Sequence, residues 1–135
     1  MKQENDEYLC KTFPKMFVNH GNENEPLFYG VECNDGWFNI INMLCQNIQH
    51  HLDWKNRAEE VVPQVLVTQI KEKFGTLRFY YDGGDEYVNG LVAMAESMSG
   101  VTCEVCGDMG ESTSSDWIKV LCETHQIEHS ARNED

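Results

Sequence analysis

Positive charge is scarce in this 135-residue chain: ten Lys and Arg stand against 23 Asp and Glu, a net charge of −13. So acidic a surface is repelled by nucleic-acid phosphates, which excludes a general DNA- or RNA-binding protein. Long apolar runs are missing as well. The chain has no stretch of about 18 apolar residues, as a membrane-spanning helix requires. The opening MKQENDEYLCKTFPK also lacks the apolar segment of a signal peptide. Three prolines and ten glycines are too few for a low-complexity or disordered chain. The expected setting is therefore a reducing cytosol, the cell's own or a host's. There, six cysteines serve as metal ligands and buried thiols rather than as a disulfide framework.

The length suits one domain, 1–135, with one modest core. Residues 1–32 read as an irregular polar arm packed on that core through Phe13, Met16, Phe17, Leu27 and Phe28, with a short strand near Leu27 to Glu32. Residues 33–100 form the core in the order α-β-β-α. In NDGWFNIINMLCQNIQHHLDW, Trp37, Ile40, Ile41, Leu44, Ile48 and Leu52 recur at helical spacing, and Asn34 or Asp35 can cap the start. QVLVTQIKEKFGTLRFYY suits two strands, Gln64 to Glu72 and Thr76 to Tyr81, turning at Phe74-Gly75. Leu77, Phe79 and Tyr81 then face one side, Arg78 and Tyr80 the other. A second helix, Glu86 to Ser99, carries the stripe Val88, Leu91, Val92, Ala95 and Met98, with Gly100 at its C-terminal cap. The fold class is α+β, closed by a zinc-ribbon-like knuckle over 101–129.

That knuckle is the strongest chemical signal. Cys103-x2-Cys106 and Cys122-x2-His125, fifteen residues apart, are two pairs that each grip one ion from a tight turn. Soft thiolates with an imidazole select zinc over calcium or magnesium. Four protein ligands leave no position for a reactive water, so the expected zinc is structural. His129, four residues beyond His125, leaves a Cys2His2 alternative with Cys122 as a core thiol. The Cys3His set is preferred because VLC ends a strand. Glu104, between the first two cysteines, reads as solvated.

Other residues carry weaker signals. DGGDE, Asp82 to Glu86, lacks the alternating ligands of a calcium loop and reads as a turn with acids at a helix start. Adjacent His50 and His51 point apart and make a poor metal pair. Cys10, Cys33 and Cys45 are not at ligand spacing, and Cys45 reads as a core thiol. The few cations concentrate in KEKFGTLRFYY. There Lys71, Lys73, Arg78 and Tyr80 could hold a nucleotide-sized anion by charge and stacking.

Taken in order, FPKMF, DGWFNIINMLCQNIQ, QIKEKFGTLRFYYDGGDE, AESMS, TCEVCG and WIKVLCETH resemble a group of small uncharacterised proteins of bacteriophages, prophages and bacteria. The resemblance spans roughly Phe13 to His125 and is most specific over the hairpin and knuckle. It implies a phage-type source acting in the host cytoplasm, and the same four zinc ligands, but supplies no catalytic residue. The leading expectation is a non-catalytic protein that counters a host function, defence above all. It would do so by binding a host protein or sequestering a nucleotide-type signal. The alternatives are a small hydrolase using His50 or His51 with acids of Asp82 to Glu86, and an acidic DNA mimic. Self-association is left open.

Overall fold

The computed structural model describes residues 1–24, 30–113 and 116–133. They form α1 (Gln3–Thr12), a 3-10 turn (Asp35–Trp37), α2 (Phe38–Lys55), β1 (Leu66–Lys73), β2 (Thr76–Asp82), α3 (Glu86–Ser99), β3 (Glu111–Ser112), β4 (Val120–Leu121) and α4 (Glu123–Asn133). The class is α+β, with two antiparallel two-stranded sheets, β1-β2 and β3-β4.

The apolar stripe of α2 decides where the core sits. Ile40, Ile41, Leu44, Cys45, Ile48 and Leu52 are all buried, each aliphatic side chain contributing about 1.5–3 kcal/mol. They pack with Val67, Ile70, Leu77 and Phe79 of the hairpin and Val88, Val92 and Ala95 of α3. The β1-β2 turn has positive φ at both central residues, 54° at Phe74 and 85° at Gly75, the backbone that a tight hairpin requires.

A lone hairpin has two open edges and is marginally stable. Here both are covered. On the β2 side, the Glu96 carboxylate accepts from the Phe79 amide at 2.9 Å and the Ser99 hydroxyl accepts from the Leu77 amide at 2.9 Å. On the β1 side, the Met16 carbonyl accepts from Val67 at 2.8 Å, and Glu32 exchanges backbone hydrogen bonds with Ile70 and Glu72. That parallel bridge at Glu32 is the described part of the strand expected there. Leu27 and Phe28 lie outside the described residues.

Three local expectations are corrected. The arm is not irregular: its first part is α1, with Glu4 and Asp6 in the first turn, Lys11 in the last and Leu9 fully buried. Its charges suit the helix dipole, and one buried leucine gives it a packing face that a single apolar residue does not reveal as periodicity. Neither Asn34 nor Asp35 caps the central helix. Asp35 instead accepts from the Lys2 amide and the Asn5 side chain, both at 3.0 Å, tying α1 down. Finally, Met98 is 47% exposed rather than in the core. α3 buries Val88, Val92, Ala95 and Ser99, which rotates Met98 to the edge of the packed face.

Candidate metal centre

Cys103 to Cys106 forms a tight turn closed by the Gly107 amide on the Cys103 carbonyl, 2.9 Å, with Gly107 at a φ of 86°. The β3-β4 pair, Glu111 opposite Leu121 and Ser112 opposite Val120, returns the chain. Cys122 follows β4 and its carbonyl accepts from the Gln126 amide, so α4 starts there. Three residues along that first turn His125 meets Cys122 on one helical face.

One ligand atom from each of Cys103, Cys106, Cys122 and His125 lies within 4.8 Å of the others, a group that can hold a metal ion. The separations fit one. Metal–sulfur and metal–nitrogen bonds of about 2.3 and 2.0 Å in a tetrahedron set S···S edges near 3.8 Å and S···N edges near 3.5 Å. Cys106 Sγ to Cys122 Sγ is 3.8 Å, Cys103 Sγ to His125 Nδ1 is 3.5 Å, and Cys122 Sγ to His125 Nδ1 is 3.1 Å. Nδ1 is thus the ligand atom. The other ring nitrogen, Nε2, lies 3.9 Å from the exposed Glu128 carboxylate, beyond hydrogen-bond distance. The cluster contains Cys122 and not His129, in line with the Cys3His set.

The thiols show why a cation belongs there. Burial raises the Cys103 pKa, but backbone donors at Cys122, Cys106 and Val105 outweigh it and bring the pKa down to about 7. At Cys106 an amide donor from Asp108 acts downward, yet burial and the neighbouring thiols Cys103 and Cys122 push it up to about 11. A second thiolate beside the first is disfavoured unless positive charge sits between them.

Glu104 is the main correction at this site. It is 2% exposed, not solvated. Its carboxylate accepts from the Asn34 amide at 3.0 Å and lies 3.6 Å from Lys119 Nζ, which is also 3.4 Å from Glu72. Its carbonyl accepts from the Gly36 amide at 2.7 Å. A Cβ at Gly36 would overlap the Cys103 and Glu104 carbonyls, so only glycine lets the two backbones approach. The Trp37 indole adds a bond to the Thr102 carbonyl at 2.9 Å. The knuckle is therefore bolted to the start of α2 and to β1. An alternating pattern cannot reveal this, because Glu104 lies in a turn and its partners are remote in sequence.

The hairpin residues are partly brought together. Register pairs Lys71 with Arg78 and Gln69 with Tyr80 on the face away from the core, and the Lys71 ammonium lies 5.9 Å from the Tyr80 ring centre. Arg78 Nε is buried and has no hydrogen-bond partner among the described residues. Lys73 turns instead towards Phe74, 5.7 Å from its ring.

His51 does meet an acid of the DGGDE turn: its Nε2 is 2.9 Å from Asp85 Oδ2. Asp85 also caps α3 by accepting from the Val88 amide, and His51 stacks on Tyr87 with ring centres 4.2 Å apart. These contacts join two helices, and neither partner is a serine- or cysteine-type nucleophile.

One surface feature has no motif in the sequence. Between α2 and α3 runs a groove of about 280 Å³ lined by Ile40, Met43, Leu44, Leu91, Met94, Ala95 and Met98, with Asn39 and Asn47 also on its wall. Met43 and Met94 are 52% and 64% exposed. The available signal was the lack of any Asp, Glu, Lys or Arg from Phe38 to Leu52 and from Tyr87 to Ala95.

Comparison with protein families, curated proteins and solved structures finds no match to this chain.

Proposed function

We propose that the chain is a non-catalytic binding protein in which a structural zinc holds the knuckle and the α2–α3 groove receives a partner protein. Three thiolates and one imidazole suit zinc, and four protein ligands close its coordination. The observation that carries the binding reading is the groove: an apolar, methionine-walled channel free of charge, in a molecule of net charge −13. Flexible, polarizable methionines suit a surface that adapts to an inserted side chain. The occupant we assign is an amphipathic helix of the partner, apolar towards the groove and basic on its other face. Its apolar side chains would enter the channel while its cations face an acidic molecule. The phage-type resemblance supplies the setting, a host protein, above all one of defence, engaged in the host cytosol.

The test is photocrosslinking from position 94, followed by affinity measurements with the purified crosslinked protein. Met94→Glu should weaken that complex at least tenfold, higher salt should weaken the wild-type complex, and thermal stability should stay nearly unchanged. Crosslinks only to a second copy, with a dimer by light scattering, would instead make the groove a self-interface. Unaltered affinity in Met94→Glu would remove the groove from the function.

A second reading rests on Lys71, Arg78 and Tyr80 sharing the hairpin face away from the core: a nucleotide-type anion on that face. Mass spectrometry of small molecules released by denaturation separates the cases. An intact ligand supports sequestration, reaction products support the hydrolase alternative, and no ligand removes this reading.

A further inference from the structure

A second group of metal-type donors lies away from the knuckle. Asp6, Cys10 and His20 each offer one ligand atom, all within 4.8 Å of one another and all half-buried. Asp6 and Cys10 are four residues apart on α1, so the helix stacks them on one face. The turns after α1 bring His20 back over them, its Nε2 lying 2.8 Å from Asp6 Oδ2. The second Asp6 oxygen, Oδ1, accepts from the Val31 amide at 3.1 Å. That bond fixes the carboxylate and leaves Oδ2 to His20.

We infer that Asp6, Cys10 and His20 form a second metal site, a three-ligand site for zinc or a similar late first-row divalent ion. A thiolate, an imidazole and a carboxylate are donors such ions accept, whereas calcium and magnesium require oxygen ligands. Ligand bonds of about 2.0–2.2 Å require N and O of a tetrahedral site to stand roughly 3.3 Å apart. Entry of the ion therefore replaces the Asp6–His20 hydrogen bond with an opening of about half an ångström. Three protein ligands leave one position for water or another donor. Without an ion, burial and the charges of Asp6 and Glu7 hold the Cys10 thiol up at about 12, so the ion must displace its proton. An ion held there would pin α1 to the turns behind it.

The test uses the full chain loaded with zinc, and separately with cobalt. Elemental analysis should find two ions per chain, falling to one in Cys10→Ser and in His20→Gln, with the knuckle ion kept. The cobalt form of a chain carrying Cys103→Ser, Cys106→Ser and Cys122→Ser together, its knuckle stripped of thiolates, should retain a thiolate-to-cobalt absorption band that the added Cys10→Ser change abolishes. One ion per wild-type chain under metal excess overturns the site whether or not any variant folds. So does an unchanged stoichiometry in folded Cys10→Ser. In either event Asp6 and His20 form a simple hydrogen-bonded pair.

Discussion

Lys119 is the residue on which the buried polar seam depends. Its ammonium stands between Glu72 and Glu104, and Glu104 is almost wholly enclosed. Two carboxylates at such a seam are tolerable only with a cation between them, because desolvation and mutual repulsion both oppose their charges. The two ends of the network should therefore respond unequally. Glu104→Gln keeps a carbonyl for the Asn34 amide and leaves Lys119 paired with Glu72, so the loss should be about 1–2 kcal/mol. Lys119→Met leaves both carboxylates uncompensated and should cost about 3–5 kcal/mol. Urea unfolding of the two variants checks the order. Equal losses would mean that Lys119 contributes little beyond its packing.

Among the elements, α2 and α3 are joined at one end by His51 and Asp85 and left open along their outer face as the groove. Asp85 has two tasks, cap and ion-pair partner. The His51 hydrogen bond holds its carboxyl below the usual carboxylate range; burial opposes this, while the Val88 amide adds to it. The sign follows from linkage. A carboxylate with a depressed folded pKa stabilises the fold above the usual carboxylate range, and that contribution is lost as pH falls through the folded value. Asp85→Ala should cost about 1–2 kcal/mol near neutral pH, as loss of an N-cap does. The gap to wild type should narrow as the medium is acidified below the usual carboxylate range. Denaturant titrations at a series of pH values test this. A gap independent of pH would assign the whole effect to helix propensity.

At this same scale the limits of sequence patterning are visible. α2, the hairpin and α3 declare themselves because each has many apolar residues at a fixed period over a buried face. The knuckle declares itself because two matched ligand pairs carry chemistry in their spacing. α1 does not, since it buries only Leu9 and its remaining anchors lie beyond the helix. Missing that helix also hid the Asp6–Cys10 pair, whose four-residue spacing has meaning only on a helix. Glu104 and Asp35 escape local patterning for a related reason: their roles rest on partners about 70 and 30 residues away, which no local pattern encodes.

For the whole molecule the question is how far the knuckle is a separate folding unit. Its own apolar contribution is small: Val120 and Leu121 are buried with Cys103, while Met109 is 87% exposed. A core so small does not fold alone, and the zinc proposed for it would supply on the order of 10 kcal/mol of binding free energy that becomes folding free energy. The seam to the rest is polar and specific, through Trp37 and Thr102, Gly36 and Glu104, and Lys119 with Glu72. Removing metal from the knuckle should thus loosen residues 101–133 without melting α2, β1, β2 and α3. Hydrogen exchange after chelation should show fast exchange in β4 and α4 and retained protection in the core strands. Cys122→Ser should reproduce that pattern, whereas His129→Ala should keep both the ion and the protection. Loss of protection across the whole chain on chelation would mean that knuckle and core fold as one cooperative unit. Metal loss in His129→Ala with retention in Cys122→Ser would transfer the fourth ligand to His129.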